Sequence, residues 1–334
     1  MRKLFNITSV FLLSLFCLAV SAQDNNFYPG KIWNDADGKP INAHGGGILY
    51  DKGIYYWFGE IKNGKTIRVE EDKSWENYRV NAGGISCYSS KDLVHWKNEG
   101  VALAPSTDST SELYFGKVIE RPKVIYNAKT KQYVMWMHID SKNYGYARAG
   151  VAVSKAPAGP YTYLGAVRPN DAMSRDMTVF KDTDGKAYLV CTSENNLTIH
   201  VNLLSDDYLK PTAIFTRILI GQNREAPAIV KHHNKYFLIT SLCSGWDPNA
   251  ARYAVADSML GNWVVMGNPC TGEDSATTFH SQSAYIIAAA GKDKYIFMAD
   301  RWQKTDLPDS RYIWLPLEFE GDKMVVKWED KWHL

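Results

Sequence analysis

The sequence predicts an all-β chain folded as a five-bladed β-propeller. Three observations carry this. Stretches with a 3.6-residue apolar period are nearly absent, and short β-rich runs between Asp, Asn, Gly and Lys turns fill the chain. One hairpin pattern recurs five times. A polar residue stands at the same phase ahead of every copy. Strand-only repeats of about 50 to 60 residues indicate radial architecture, in which each blade buries both faces against its neighbours. A β-sandwich gives no reason for one hairpin to repeat.

The chain has 334 residues, 45% hydrophobic and 22% charged, which supports a large core and excludes a disordered chain. Residues 1–22 read as a secretory signal peptide: Arg2 and Lys3, an apolar run from Phe11 to Val20, then Val20-Ser21-Ala22. A leader of this kind implies export to the periplasm or the medium. Residues 23–334 then form a single propeller domain. No other apolar run is long enough to span a membrane. The formal charge of +2 disappears with the two basic leader residues. A neutral chain without a basic tract excludes nucleic acid as an expected partner and suits a neutral ligand.

Each hairpin is an apolar pair, a turn, and a Tyr that opens the next strand. The anchor tyrosines are Tyr55, Tyr133, Tyr188, Tyr236 and Tyr295. Further strand pairs follow at Ile85–Ser89, Gly150–Ser154 and Arg252–Ala256. Lys62 to Tyr78 is a polar insertion, read as a loop over the site. Trp328 and Trp332 end the chain and are read as closing the ring. Of the cysteines, Cys87, Cys191, Cys243 and Cys270 lie outside the leader, with no C-x-x-C pair, so no zinc site is expected. Buried free thiols are the favoured reading for Cys191 and Cys243. The choice among possible disulfides stays open.

Residues just ahead of each hairpin should point into one axial funnel. They are His44, Glu120, Asp176, Glu225 and Gln282. Three are acidic, each beside an arginine: Arg121, Arg175 and Arg224. One such pair is ordinary surface chemistry, but three converging carboxylates push at least one pKa upward, which makes a general acid. Two carboxyl groups about a cleft are the minimum for glycosidic cleavage. Glu60 and the pair Asn195 and Asn196 follow second strands and are candidate sugar contacts. Trp246, in a loop after a strand, is a candidate stacking platform or core filler. Gly45-Gly46-Gly47 is read as close backbone approach at the axis, since no Lys-Ser/Thr follows to make a phosphate loop.

Together the strings His44–Gly47, Tyr55–Glu60, Glu120–Lys123, Ser174–Asp176, Glu194–Asn196, Arg224–Pro227 and His280–Ser283 resemble glycoside hydrolase family 43, in particular its exo-β-1,3-galactanase branch. The resemblance implies a five-bladed propeller that releases galactose, or galactose bearing a side chain, from the β-1,3-galactan of plant type II arabinogalactan, with inversion. The family's blade-one aspartate base is missing here, as in that branch. The resemblance puts Gln282 in the base's place, orienting water through its imidic acid tautomer, with Glu225 as the acid, Glu120 tuning its pKa or holding the sugar, and Asp176 helping in the same way. Gln282 and Glu225, from adjacent blades, are then expected to flank one sugar. Asp176, Glu60, Asn195, Asn196, His44 and Trp246 are the expected substrate contacts, with Glu60 or Glu194 as alternative bases through a water. No cofactor is required and no metal ligands are assigned, although calcium in the axial channel stays open. Another family 43 activity, such as an arabinofuranosidase or xylosidase, and a non-catalytic sugar-binding propeller are the rival readings.

Overall fold

The computed structural model describes residues 24–69 and 78–334. The leader read at 1–22, and the tip of the insertion at 70–77, lie outside them. Five antiparallel sheets follow one another along the chain, each a meander from an inner to an outer strand. Blade one is His44–Asp51, Ile54–Lys62, Ala82–Ser90 and Lys97–Leu103. Blade two is Val118–Asn127, Gln132–Asp140, Arg148–Ser154 and Thr162–Val167. Blade three is Met177–Lys181, Ala187–Ser193, Thr198–Leu204 and Pro211–Ile218. Blade four is Arg224–His232, Lys235–Leu242, Arg252–Ala256 and Val264–Gly267. Blade five is Gln282–Ala288, Tyr295–Arg301, Arg311–Glu320 and Lys323–Lys327, extended by Cys270–Thr271 pairing in parallel with its outer strand. Each inner strand neighbours the next, and the fifth returns to the first. This is the five-bladed propeller that the repeats predict.

The cores lie between blades. Five apolar clusters each join residues of two consecutive blades, as sheets buried on both faces require. The anchor tyrosines all sit at the start of a second strand, and four of them reach back to the preceding blade. Tyr133 donates to Asp51 of blade one at 2.8 Å, and Tyr236 donates to Asp182 of blade three. Tyr55 accepts the Ala290 N–H of blade five at 2.8 Å, and the Tyr295 hydroxyl lies 3.2 Å from His232 Nδ1 of blade four. The repeated Tyr is therefore a latch between blades.

Trp332 closes the ring. It pairs with Phe27 through the backbone, stacks on its ring at 4.2 Å, and joins the cluster shared by blades five and one. Trp328 instead packs on Phe279 within the blade four and five cluster. The four described cysteines are unpaired.

Four inner strands carry a bulge where they start. Register breaks between His44 and Gly47, Glu120 and Lys123, Glu225 and Ala228, and Ser283 and Tyr285. Gly45, Arg121 and Ala226 take left-handed φ angles of 56°, 56° and 53° there. A bulge re-aims the side chain beside it, so one local device repeated round the ring turns polar groups towards the axis. Gly46 shows the crowding expected of the glycine run: a Cβ there would lie 2.1 Å from the Phe58 carbonyl oxygen.

Candidate active site

A cavity of about 590 Å³ opens at the axis, walled by Glu120, Arg121 and His138 from blade two, Asp176 and Asn196 from blade three, Glu225 and Trp246 from blade four and Gln282 from blade five. Of the residues predicted from sequence, the structure gathers Glu120, Asp176, Asn196, Glu225, Gln282 and Trp246 here.

Glu225 lies against Gln282 and Asn196. Its Oε1 accepts the Gln282 amide at 3.0 Å and its Oε2 the Asn196 amide at 3.4 Å. Desolvation, then the charge of Asp176, pushes its carboxyl up to about 8, against the pull of Arg121 and of hydrogen bonds from Cys243 and Gln282. Glu225 thus keeps its proton at neutral pH. Of the two carboxylates expected to tune it, Asp176 is the one whose charge does so.

Glu120 faces His138 across the first two strands of blade two, and His138 and Asp140, two apart on one strand, share a face. Asp140 lies 2.9 Å from His138 Nε2, and Glu120 lies 3.6 Å from Nδ1. The Tyr144 hydroxyl donates to Glu120 at 3.1 Å. Burial alone would raise the Glu120 carboxyl, but His138 and Lys62 hold it down at about 2. The carboxylates in turn lift His138 to about 9 despite its burial. The cavity therefore holds a protonated carboxyl on blade four and an ionised one on blade two.

Arg121 is the hub that sequence reasoning treats only as a partner of Glu120. It pairs with Asp176 at 2.9 Å and donates to Gln282 Oε1 at 2.6 Å. Its backbone N–H donates to Glu60 at 3.1 Å. Neither other arginine pairs with its adjacent acid. Arg175 bonds Asn196 and the Tyr144 carbonyl, and Arg224 turns to Thr240. Successive residues of an extended chain point to opposite sides, so adjacency in sequence does not make a pair.

Gln282 is saturated. Oε1 accepts from Arg121 and from Trp302 Nε1 at 3.0 Å, while Nε2 donates to Glu225 and to Ser241 at 3.0 Å. Two corrections follow. A carboxyl and an amide 3.0 Å apart leave no room for a sugar between them, so this pair does not flank the substrate. An imidic acid tautomer would also turn an O–H towards two groups that only donate.

Three expected contacts lie outside the cavity walls. His44 is buried and bound to Asp300 at 3.0 Å. Glu60 is buried beneath Lys62 at 2.7 Å, because the blade-one sector is filled by this pair. Asn195 is exposed on a turn in which Glu194, Asn195 and Asn196 are all left-handed, and that turn aims only Asn196 inwards. Glu194, an alternative base, is held by Arg217 and His200 away from the cavity. Trp246 lines the wall, donates to the Tyr78 carbonyl at 2.9 Å and meets Trp302 edge-on at 5.1 Å. The insertion thus reaches the mouth of the site as expected. Tyr144, which also lines the cavity, carries no pattern in the sequence that marks it as a site residue.

Ligand-type atoms of Glu120, His138 and Asp176 lie within 4.8 Å of one another, a spacing compatible with a cation. Arg121, bound to Asp176, already supplies positive charge there.

The model of glycosyl hydrolases family 43 matches residues 48–308. The chain is similar to a solved family 43 β-1,3-galactosidase held with galactodeoxynojirimycin, at 44% identity over 92% of this chain and 100% of that one, with a TM-score of 0.85. It is similar to an exo-β-1,3-galactanase from Phanerochaete chrysosporium solved with β-1,3-galactotriose, at 38% identity over 93% and 68%, TM-score 0.83. An exo-β-1,3-galactanase from Clostridium thermocellum shares 37% identity over 92% and 66%, TM-score 0.81. No curated protein matches the chain.

Proposed function

The chain belongs to glycosyl hydrolase family 43, and on that premise we propose that it is an exported, inverting exo-β-1,3-galactanase acting on type II arabinogalactan. It releases galactose, with or without a side chain, from the non-reducing end. The observation that carries the chemistry is the pairing of opposite protonation states in one cavity: Glu225 near 8 and Glu120 near 2. Diverging environments of two carboxyl groups assign the acid and the base.

Glu225 gives its proton to the glycosidic oxygen. Gln282 is occupied in holding Glu225, so Glu120, two blades away, is the carboxylate left to take the proton of the attacking water. Asp176 is less suited, since Arg121 and the Ala226 N–H both bind its Oδ2. Asn196 and Trp246 hold sugar hydroxyls and a sugar face. The substrate class is supported by the galactanases to which the chain is similar, and the inversion by the branch resemblance. No cofactor or calcium is needed, because carboxyl groups make both proton transfers. The leader at 1–22 supports action in the periplasm or the medium. Incubation with β-1,3-galactan, arabinan and xylan tests the reading. Galactose from the first substrate alone is expected, and pentose release from the others would move the activity elsewhere in the family.

A further inference from the structure

Gln282 is a neutral amide set against the acid, and its orientation has a specific cause. An amide can turn end for end at little cost unless its neighbours tell oxygen from nitrogen. Ser241 cannot do so, because a hydroxyl both donates and accepts. Arg121 and the Trp302 indole can, since neither offers an acceptor. Both reach Oε1, at 2.6 and 3.0 Å. Turning the amide would set an NH2 group against two donors.

Trp302 does not line the cavity and stands behind Gln282. Its ring is boxed by Trp246 edge-on at 5.1 Å, His44 at 5.7 Å and the Lys62 ammonium at 5.3 Å. The box fixes the indole, and the indole N–H fixes the amide. We infer that Trp302 is a positioning residue of the hydrolysis, which together with Arg121 keeps the Gln282 NH2 group on Glu225 Oε1 and so leaves the acid's proton on Oε2. The logic is that of hydrogen bonding: in a protonated carboxyl the carbonyl oxygen is the better acceptor. The Gln282 N–H claims Oε1 for that role at 3.0 Å, whereas the Asn196 N–H reaches Oε2 only at 3.4 Å, so Oε2, the less tightly held oxygen, carries the hydrogen. The proton is then presented from one defined oxygen.

This rests on the reading of Glu225 as the acid. The charged and titratable groups facing Glu225 are Asp176 from blade three, Arg121 from blade two and Cys243 from its own blade. Those beside Trp302 are Lys62 and His44. Trp302→Phe alters none of them. It keeps a smaller aromatic ring against Trp246 and Lys62 and removes the N–H donor together with the five-membered ring that carries it.

The experiment measures kcat, KM and the pH profile of Trp302→Phe on β-1,3-galactan, with Glu225→Gln alongside. Loss of one hydrogen bond that orders the acid should lower kcat about tenfold, with KM within about twofold of wild type. The alkaline limb should also move to higher pH, because an amide N–H held on Glu225 favours the ionised form. A residue that only packs would not shift that limb. Wild-type kcat with an unmoved limb overturns the proposal. So does a variant that fails to fold, since the indole would then be holding the structure rather than the amide. If Glu225→Gln retains wild-type activity, the reading of the acid itself is wrong, whatever Trp302→Phe does.

Discussion

Asp176→Asn tests the electrostatic core of the site. Glu225 is held at about 8 instead of its ordinary 4.5 by desolvation first and the Asp176 charge second. At pH 7 a group at 8 is about 90% protonated, whereas one at 4.5 is about 0.3% protonated, a roughly 300-fold difference in usable acid. Asn keeps the shape of Asp and still accepts hydrogen bonds from Arg121 and the Ala226 N–H. It removes the negative charge. Arg121, released from its ion pair at 2.9 Å, then acts on Glu225 without compensation. Both changes favour the carboxylate, so the pKa falls. The acid works only when protonated, so activity is lost as pH rises through that pKa. Initial rates on β-1,3-galactan from pH 4 to 9 should therefore show the alkaline limb moving down from about 8, while the rate near pH 5 changes much less. A limb that stays in place, or rises, would show that Asp176 does not set the acid and that desolvation does so alone.

Glu225→Gln should lower kcat by roughly 10²–10⁴-fold with an unchanged melting temperature, and more than half the wild-type rate would remove it as the acid. Glu120→Gln should lose activity by a similar factor, about 10²–10⁴, and recover part of it in sodium azide as an α-galactosyl azide; loss without rescue would leave Glu120 as a binding residue. Proton NMR of the first galactose released should show the α-anomer, and initial β-anomer would mean retention. Tyr236→Phe removes the latch onto Asp182 and should cost about 1 kcal/mol in urea unfolding with little change in kcat, whereas full stability would deny the latch any weight.

The fold was legible because its instruction is local and repeated. Each hairpin states its own turn, its apolar face and its Tyr, and five statements of the same unit leave one radial solution. The acids at the mouth were legible for the same reason: they recur at a fixed phase, and the bulges that aim them are local too. Glu225, Glu120, Asp176 and Gln282 do share one cavity. The phase argument failed at His44, where Asp300 from the adjacent blade captures the ring, and the separate reading of Glu60 as a sugar contact failed because Lys62 from the same strand holds its carboxylate.

What the sequence determined by itself was thus the ring, the identity of the groups at its axis and their family likeness. Their partners were decided only in three dimensions. Arg121 stands next to Glu120 in the chain yet neutralises Asp176 on another blade, and Arg224 beside Glu225 bonds Thr240 instead. The amide that seemed to face the acid across a sugar is bonded to it. Protonation follows distance and desolvation, and both are set by which blades meet at the axis. A chain written blade by blade does not record those meetings, because every contact that tunes Glu225 from Asp176, Arg121 or Gln282 crosses from one repeat to another.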